Sequence, residues 1–236
     1  MGELGDFPKL TLKELPSLID YSVLRPEATL SDVEKACYAA LKYGFAAVCV
    51  NSFHVDLAYF LLKGSPVKVC VTVGFPLGAT LSEVKAYEAA EAVHRGAREV
   101  DFVINLGLIK SGCFKEALGD AKAVVDAVRS AEPETVIKMI IESRLLNMEE
   151  KALACRVARE AKVDYVKTCT GFTSCQAHPD DVVLLTKLAP GLKIKASGGI
   201  RTLSQVLALV KAGASRIGTS SAVEIMLEAQ RALPTN

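Results

Sequence analysis

The sequence predicts an α/β protein of the (β/α)8 TIM-barrel class, and two observations lead to this prediction. Short apolar runs alternate with longer amphipathic runs almost to the end of the chain. Eight such pairs fit into about 200 residues, and strict alternation implies a parallel sheet with right-handed crossovers. Eight units favour a closed barrel, whereas fewer would favour an open doubly wound sheet. No G-x-G-x-x-G follows the first strand, which weakens the open-sheet alternative.

Each predicted element has a local signal. The predicted strands lie near Leu18–Ser22, Ala46–Asn51, Lys68–Val73, Glu99–Asn105, Val136–Glu142, Tyr165–Thr168, Lys193–Ser197 and Arg216–Thr219. The helical patterns cover Ser31–Tyr43, His54–Leu62, Leu81–Arg95, Phe114–Ser130, Met148–Ala161, Pro179–Leu188, Thr202–Lys211 and Ser221–Arg231. The first helix is predicted to begin at a capping signal, Ser31 followed by Glu34, and to end at Gly44. We expect residues 1–236 to form a single domain, with residues 1–17 as a short extra segment covering the barrel bottom.

Charge and composition exclude several classes of function. Lys plus Arg is 28 and Asp plus Glu is 27, so the net charge is +1, without the basic excess of a nucleic-acid binder. A small anionic substrate stays open, because one local cluster of cations suffices to bind it. The first ten residues lack the basic start and apolar run of a signal peptide, and runs such as Phe45–Val50 are too short to cross a membrane. We therefore expect a soluble, cytoplasmic protein without nucleic-acid or membrane partners.

Cysteine and histidine spacing supports neither a disulfide framework nor a metal site. The seven cysteines are irregularly spaced, and no C-x-x-C occurs. We expect reduced, mostly buried thiols at Cys37, Cys49, Cys70, Cys113, Cys155, Cys169 and Cys175. The three histidines, His54, His94 and His178, lie in unrelated segments, so no metal is predicted.

Three predicted strands carry polar residues where a barrel interior is expected. On the fourth strand Val100, Phe102 and Ile104 share the face that packs on helices, whereas Asp101 points inward with Val103 and Asn105. The sixth strand carries Lys167 and the seventh carries Lys195, both near the carboxyl end where barrels hold their active sites. Neighbouring strands lie about 4.8 Å apart, so we expect the two lysines to be close together.

Two interpretations of these lysines are open. Mutual repulsion and burial both lower the pKa of a lysine, and a lysine made neutral in this way can form a Schiff base. Alternatively, each lysine is a structural salt-bridge partner, for example of Asp101 or Glu142. Two lysines at neighbouring strand ends, together with an inward Asp101, favour function on pattern alone.

The turns after the last two strands favour phosphate binding. Gly198-Gly199 follows the seventh strand, and the eighth ends in Gly218-Thr219-Ser220-Ser221 before a helix. In barrels these two turns and a helix N-terminus commonly hold phosphate, because glycine lets backbone N–H groups approach the anion. The alternative is ordinary turn glycines and a serine helix cap.

At these residues the sequence resembles the deoxyribose-phosphate aldolase family of class I aldolases. The resemblance extends from about Ile19 to Ile225. It rests on EVDFVIN, DYVKTCTGF, KASGGIRT and SRIGTSS, with EATLSDVEKAC, YGFAAVCVN, VGFPLGA and NLGLIKSG in the expected order. It implies a (β/α)8 barrel and the residue roles that follow.

The resemblance assigns Lys167 as the Schiff-base lysine, Lys195 as the lysine that perturbs it, and Asp101 as the acidic residue of the proton relay. It implies that the sugar phosphate is held by Gly171, Gly198, Gly199, Gly218, Ser220 and Ser221. The implied reaction joins acetaldehyde to D-glyceraldehyde 3-phosphate, reversibly, through an enamine on Lys167. The iminium is the electron sink, so no metal or cofactor is implied. A homodimer or homotetramer is also implied.

The chain departs from the family pattern beside the predicted phosphate site. Cys169 stands where the family commonly has serine, and residues 173–178 replace a glycine-rich stretch. One alternative is therefore a related lysine-dependent aldolase with altered aldehyde specificity, and another is a catalytically idle barrel that binds phosphosugar. Cys175 in this loop is hypothesised to be a thiol exposed to aldehydes.

Overall fold

Eight parallel strands close into one barrel in the computed structural model, which describes residues 10–234. The strands are β1 (Ile19–Val23), β2 (Ala47–Asn51), β3 (Lys68–Val73), β4 (Glu99–Val103), β5 (Val136–Ile140), β6 (Tyr165–Lys167), β7 (Lys193–Ser197) and β8 (Arg216–Thr219). Each strand pairs in parallel with the next, and β8 pairs with β1 to close the ring. The predicted (β/α)8 barrel is confirmed, and the open doubly wound sheet is excluded.

The helices occupy the predicted connections. They are α1 (Leu30–Tyr43), α2 (Val55–Leu62), α3 (Ser82–His94), α4 (Leu106–Lys110), α5 (Phe114–Ala131), α6 (Met148–Glu160), α7 (Pro179–Leu188), α8 (Leu203–Lys211) and α9 (Ala222–Ala232). The short α4 was not predicted. It begins because the Asn105 side chain leaves the strand and accepts a hydrogen bond from the Leu108 N–H at 3.2 Å. Asn105 is therefore a helix cap, and its predicted inward strand position is wrong.

The predicted cap of α1 is also wrong. Thr29 caps the helix, and its side chain and that of Asp32 exchange hydrogen bonds with each other's backbone N–H groups. The sequence offers two overlapping capping patterns, Thr29 with Asp32 and Ser31 with Glu34. Gly44 ends the helix as predicted, in the left-handed conformation (φ +77°) that suits glycine.

The main apolar core lies between the barrel wall and the surrounding helices. Val100, Phe102 and Ile104 are fully buried on the helix side of β4, as their alternation predicts. The inner side of the same strand carries the buried Asp101. The interior therefore contains charged groups, which need partners inside the barrel.

The described part of the N-terminal segment lies at the amino ends of the strands. Leu15 and Pro16 are buried, and the Pro16 carbonyl accepts a hydrogen bond from Ala46 N–H, just before β2, at 3.2 Å. Residues 1–9 of the segment predicted to cover the barrel bottom lie outside the described residues.

Between residues 10 and 234, no helix has both the length and the apolar character needed to cross a membrane.

Candidate active site

Lys167 and Lys195 are directly opposite each other on neighbouring strands. Lys167 is the last residue of β6 and pairs in register with Lys195 on β7. Both side chains are at least 98% buried. The expected proximity of the two lysines is confirmed.

Asp101 bridges the two lysines from β4, on the other side of β5. Its Oδ2 accepts hydrogen bonds from the Nζ of Lys167 and the Nζ of Lys195, both at 2.7 Å. One carboxylate oxygen thus touches both amines, and a proton can pass between them over two hydrogen bonds. Asp101 is the ion-pair partner of both lysines, as the salt-bridge interpretation expected. The two lysines are also close together, as the Schiff-base interpretation expected.

The pKa of Lys195 is raised, as its role as an ion-pair partner of carboxylates requires. Burial acts to lower the pKa of Lys195, but the carboxylates of Asp101 and Asp20 outweigh it and raise that pKa. Asp20 also accepts a hydrogen bond from Lys195. Lys195 is therefore a cation at neutral pH.

A larger charge network extends from these residues toward the barrel bottom, and the sequence interpretation missed its other members. Lys138 on β5 donates to Asp101 Oδ1 at 2.7 Å and forms an ion pair with Glu99 at 2.6 Å. Arg216 on β8 donates to Asp20 at 2.6 Å and to Glu99 at 3.1 Å. Every carboxylate of the network therefore touches at least two cationic side chains.

The network holds one more cation than anions when all its members are ionised. Its cations are Lys138, Lys167, Lys195 and Arg216, and its anions are Asp20, Glu99 and Asp101. Burial acts to raise the pKa of Asp101, but the three lysines outweigh it and hold that pKa well below its usual range. Excess positive charge in a buried network favours the neutral form of one amine.

The missed members carried the same signal that identified Asp101. Asp20, Lys138 and Arg216 occupy inward positions of apolar strands. The alternation test, applied to all eight strands and not to three, would have found them. From the sequence, Glu142 was an alternative salt-bridge partner for the lysines. Its carboxylate instead accepts hydrogen bonds from the Thr170 hydroxyl at 2.5 Å and the Thr173 hydroxyl at 3.1 Å.

A cavity of about 710 Å³ opens at the carboxyl end of the barrel, within the range of small-molecule sites. Of the three buried lysines of the network, Lys167 is the one that lines it. Arg25, Lys35 and Arg201 also line this cavity and were not predicted. The cavity therefore joins one amine of the charge network to a mouth with exposed cationic groups.

Most residues predicted to bind phosphate lie on this cavity. Gly171, Gly198, Gly199, Gly218 and Ser220 are in its lining. Ser221 is not; it precedes α9, and its N–H donates to the Thr219 hydroxyl at 2.9 Å. Gly218 has a steric role as well, because a Cβ there would lie 3.0 Å from the Cβ of Ser197 and 3.1 Å from Cε of Lys195.

Two of the seven cysteines are not free thiols. Cys169 and Cys175 form a disulfide, so the expectation of reduced thiols is wrong for this pair. The hypothesis that Cys175 is an exposed thiol is wrong too, since its side chain is buried and bonded to Cys169. No sequence pattern indicated the pairing, because the two cysteines lie six positions apart and this spacing is not repeated by other cysteines. Cys37, Cys49, Cys70, Cys113 and Cys155 are free.

Potential metal ligands meet at three places among residues 10–234. The groups are Cys49–Cys70–Asp101, Asp20–Cys70–Glu99 and Glu142–Cys169–Cys175. Asp20, Glu99 and Asp101 already bind lysine or arginine, and Cys169 and Cys175 are bonded to each other. We assign no metal to these groups.

Fold and site together define a (β/α)8 barrel with a buried lysine–aspartate relay that opens into a substrate-sized cavity. A family model described as DeoC/LacD family aldolase matches residues 17–226. The chain therefore belongs to the DeoC/LacD family of aldolases.

Curated relatives match nearly the whole chain. A deoxyribose-phosphate aldolase of Clostridium kluyveri is 49% identical over 215 residues, covering 91% of this chain and 97% of the relative. One of Carboxydothermus hydrogenoformans is 47% identical, covering 90% and 94%. A solved structure of deoxyribose phosphate aldolase from Aeropyrum pernix, described as tetrameric, superposes with a TM-score of 0.88 at 34% identity, covering 94% of each chain.

Proposed function

We propose that the protein is a class I aldolase that reversibly cleaves 2-deoxy-D-ribose 5-phosphate to acetaldehyde and D-glyceraldehyde 3-phosphate. The observation that carries the proposal is the shared Asp101 oxygen, 2.7 Å from the amines of both Lys167 and Lys195, with Lys167 on the cavity. Family membership and the two relatives of this name support the same reaction. No metal or cofactor is part of the proposal.

In the direction of synthesis, neutral Lys167 attacks the carbonyl carbon of acetaldehyde, and the resulting carbinolamine loses water to form an iminium. A proton leaves the methyl carbon, and the electron pair of that C–H bond forms the enamine. The enamine carbon then bonds to the aldehyde carbon of the acceptor, and water hydrolyses the new iminium. We assign these proton transfers to Asp101 and Lys195, acting through a water, and the hydrogen bonds of Asp101 to both lysines support this assignment.

The phosphate of the sugar is proposed to bind at Gly171, Gly198, Gly199, Gly218, Ser220 and Ser221. Gly171, Gly198 and Gly199 have positive φ angles, and a side chain would crowd the close turns of Gly198 and Gly199. The α9 N-terminus has no side-chain cap, so its first N–H groups remain for an anion. Arg25, Lys35 and Arg201 add positive charge around the same cavity.

We propose that residues 1–236 are a single aldolase domain that assembles as a homodimer or homotetramer. The match to residues 17–226 and the barrel built from β1 to β8 support one domain. The tetrameric Aeropyrum pernix relative supports assembly. An apolar patch on and before α2 and α3 fits a second copy of the chain; its side chains are Phe53, Phe60, Leu77, Leu81, Val84 and Tyr87. A cytoplasmic location stays a prediction.

Trapping the Schiff base tests the proposed reaction. The protein is incubated with acetaldehyde, reduced with borohydride and digested, and the modified peptide is identified by mass spectrometry. We expect one ethyl group, on Lys167, and none in the Lys167→Met variant. Lys193→Met is the matched control, because Lys193 is an exposed lysine on the neighbouring strand and its loss leaves the site intact. Absence of the adduct, or equal labelling of Lys193, supports the idle-barrel alternative.

Aldehyde specificity separates the two enzymatic alternatives. The substrate 2-deoxyribose 5-phosphate is compared with 2-deoxyribose and with other phosphorylated aldehyde acceptors. Highest kcat/KM for 2-deoxyribose 5-phosphate supports the proposed reaction. Preference for an unphosphorylated or different acceptor, with the Lys167 adduct intact, supports the related aldolase of altered specificity.

A further inference from the structure

The disulfide between Cys169 and Cys175 closes a small ring at the rim of the proposed site. Cys169 follows Lys167 by two residues, and Cys175 lines the cavity. The ring contains Gly171 and Phe172, which line the cavity as well. We propose that this disulfide is a redox-sensitive cross-link that orders the phosphate-binding loop, residues 169–175. Reduction of the disulfide would weaken the binding of phosphorylated substrate. The proposal rests on the proposed function of this site.

Both ends of the disulfide contact the turn after β7, where Gly198 and Gly199 lie. A Cβ on Gly198 would lie 2.8 Å from the Cys175 carbonyl oxygen and 3.0 Å from the Cβ of Cys169. The Ser197 hydroxyl donates to the Cys169 carbonyl at 2.6 Å, and Ala177 N–H donates to the Gly198 carbonyl at 2.9 Å. The cross-link therefore closes residues 169–175 into a ring, and this ring packs against the turn that holds Gly198 and Gly199.

Hydrogen bonds to a buried carboxylate also hold this loop, and they do not depend on the disulfide. Buried Glu142 accepts hydrogen bonds from the backbone N–H and hydroxyl of Thr170 and from the Thr173 hydroxyl. The Thr173 hydroxyl in turn accepts from Cys175 N–H at 3.0 Å. Reduction therefore removes one of two constraints, and we expect a looser loop in a folded barrel. A ligand must then order the loop as it binds, which lowers its affinity.

The chemistry needs a small dithiol reductant. Because Cys169 and Cys175 are both buried, the proposal requires the reductant to approach from the cavity, whose wall includes Cys175. A thiolate of the reductant attacks one sulfur of the disulfide and displaces the other cysteine as a thiolate, which takes up a proton. The second thiol of the reductant then loses its proton, displaces the first cysteine and closes the reductant's own disulfide. The protein disulfide gains two electrons and two protons, and the dithiol loses them. Re-oxidation by a small disulfide reverses both exchanges.

Thiol counting and kinetics on the two redox forms test the proposal. Alkylation after denaturation should find five thiols in the oxidised protein, matching the free cysteines, and two more after treatment with dithiothreitol. We expect reduction to raise KM for 2-deoxyribose 5-phosphate about five- to tenfold, the scale of an added ordering cost. The kcat/KM for unphosphorylated 2-deoxyribose should change less than about twofold, because its binding does not use the phosphate loops.

Two variants sharpen the test. Cys169→Ser cannot form the disulfide, so its KM should equal that of the reduced protein and should not respond to dithiothreitol. Cys113→Ser removes a free cysteine outside the site and should respond like the unaltered protein. Seven thiols in the oxidised protein, an unchanged KM on reduction, or equal losses with both sugars would each overturn the proposal.

Measuring the affinity for inorganic phosphate separates this redox proposal from the proposed aldolase reaction. Calorimetric titration should show weaker phosphate binding to the reduced form than to the oxidised form, whether or not the enzyme turns over. A missing Lys167 adduct together with redox-dependent phosphate affinity would overturn the aldolase reaction alone. An intact adduct with identical phosphate affinities in the two forms would overturn the redox proposal alone.

Discussion

At the scale of single residues, the site is built around carboxylates that each serve several cations. Asp101 accepts from Lys138 through one oxygen and from Lys167 and Lys195 through the other. Asp20 performs the same role between Lys195 and Arg216. Because these groups are almost fully shielded from water, removing one partner leaves charge that nothing else compensates.

Asp20→Asn tests this dependence without changing side-chain volume. We expect the free energy of unfolding at pH 7 to fall by about 3–5 kcal/mol, since Lys195 and Arg216 lose their shared carboxylate. Burial is the largest influence on the pKa of Asp20 and acts to raise it, but Lys195, Lys138 and Arg216 outweigh burial and hold that pKa below its usual range. The stability from Asp20 is therefore full above its unfolded pKa of about 3.9 and is lost as the pH falls further.

Urea unfolding at pH 7 and at lower pH measures both effects of Asp20→Asn. The gap between the variant and the unaltered protein should shrink below about pH 3.9. Asp126→Asn, an exposed position on α5, is the control and should change stability by less than about 0.5 kcal/mol. A gap that widens as the pH falls would contradict the role assigned to Asp20.

At the scale of elements, capping side chains set where helices begin. Reciprocal capping bonds start α1 at Thr29, α6 at Asn147 and α8 at Thr202. The end of α6 is less well suited to its sequence. Lys162 follows the helix in the left-handed conformation (φ +61°), which costs a residue with a side chain more than it costs glycine.

Lys162→Gly should therefore stabilise the protein. We expect a gain of about 1 kcal/mol, or about 2–4 °C in Tm for a chain of this size, because glycine adopts this conformation without strain. The hydrogen bond from the residue 162 N–H to the Arg159 carbonyl at 3.1 Å is kept. The matched control is Arg159→Gly, an exposed position inside α6, which should cost about 1 kcal/mol. A loss of Tm in Lys162→Gly would contradict the strain assigned to this helix end.

At the scale of the whole molecule, the apolar patch on and before α2 and α3 is the surface proposed for assembly. Phe53 is 83% exposed and Tyr87 is 71% exposed, which is unusual for large side chains on a monomer surface. The Ser52 hydroxyl donates to Glu88 at 2.8 Å, and Arg95 donates to Asp56 at 2.8 Å. These bonds link α2 and its leading turn to α3, so the two parts of the patch lie next to each other.

Charge on this patch should break the assembly. We expect sedimentation to give a dimer or larger species for the unaltered protein and a smaller species for Phe53→Asp combined with Tyr87→Asp, because burying unpaired carboxylates is unfavourable. Leu227→Asp on α9 is the control at another exposed apolar residue, and its mass should not change. A monomeric unaltered protein, or a double variant of unchanged mass, would contradict the proposed interface.

The barrel could be predicted from the residues because its signal is local and repeated. Eight apolar runs of strand length, each followed by an amphipathic run, leave few arrangements for a buried parallel sheet. The same alternation placed Asp101 inside the barrel and Lys167 beside Lys195. Caps depend on short patterns that overlap, as at Thr29 and Ser31, so their choice could not be predicted.

Contacts between side chains on different strands of the barrel could be identified only from the three-dimensional structure. Asp101 and Lys195 are 94 residues apart, and one carboxylate oxygen joins Lys195 to Lys167 only because the strands close into a ring. Closure also brings Asp20 against Lys195, 175 residues away. Burial lowers the pKa of Lys195, but the carboxylates of Asp101 and Asp20 together outweigh burial and raise that pKa. The Cys169–Cys175 bond likewise depends on how the loop folds back. Hydrophobic periodicity acts over a few residues and determines elements, whereas charge interactions act through space and are determined by closure of the barrel.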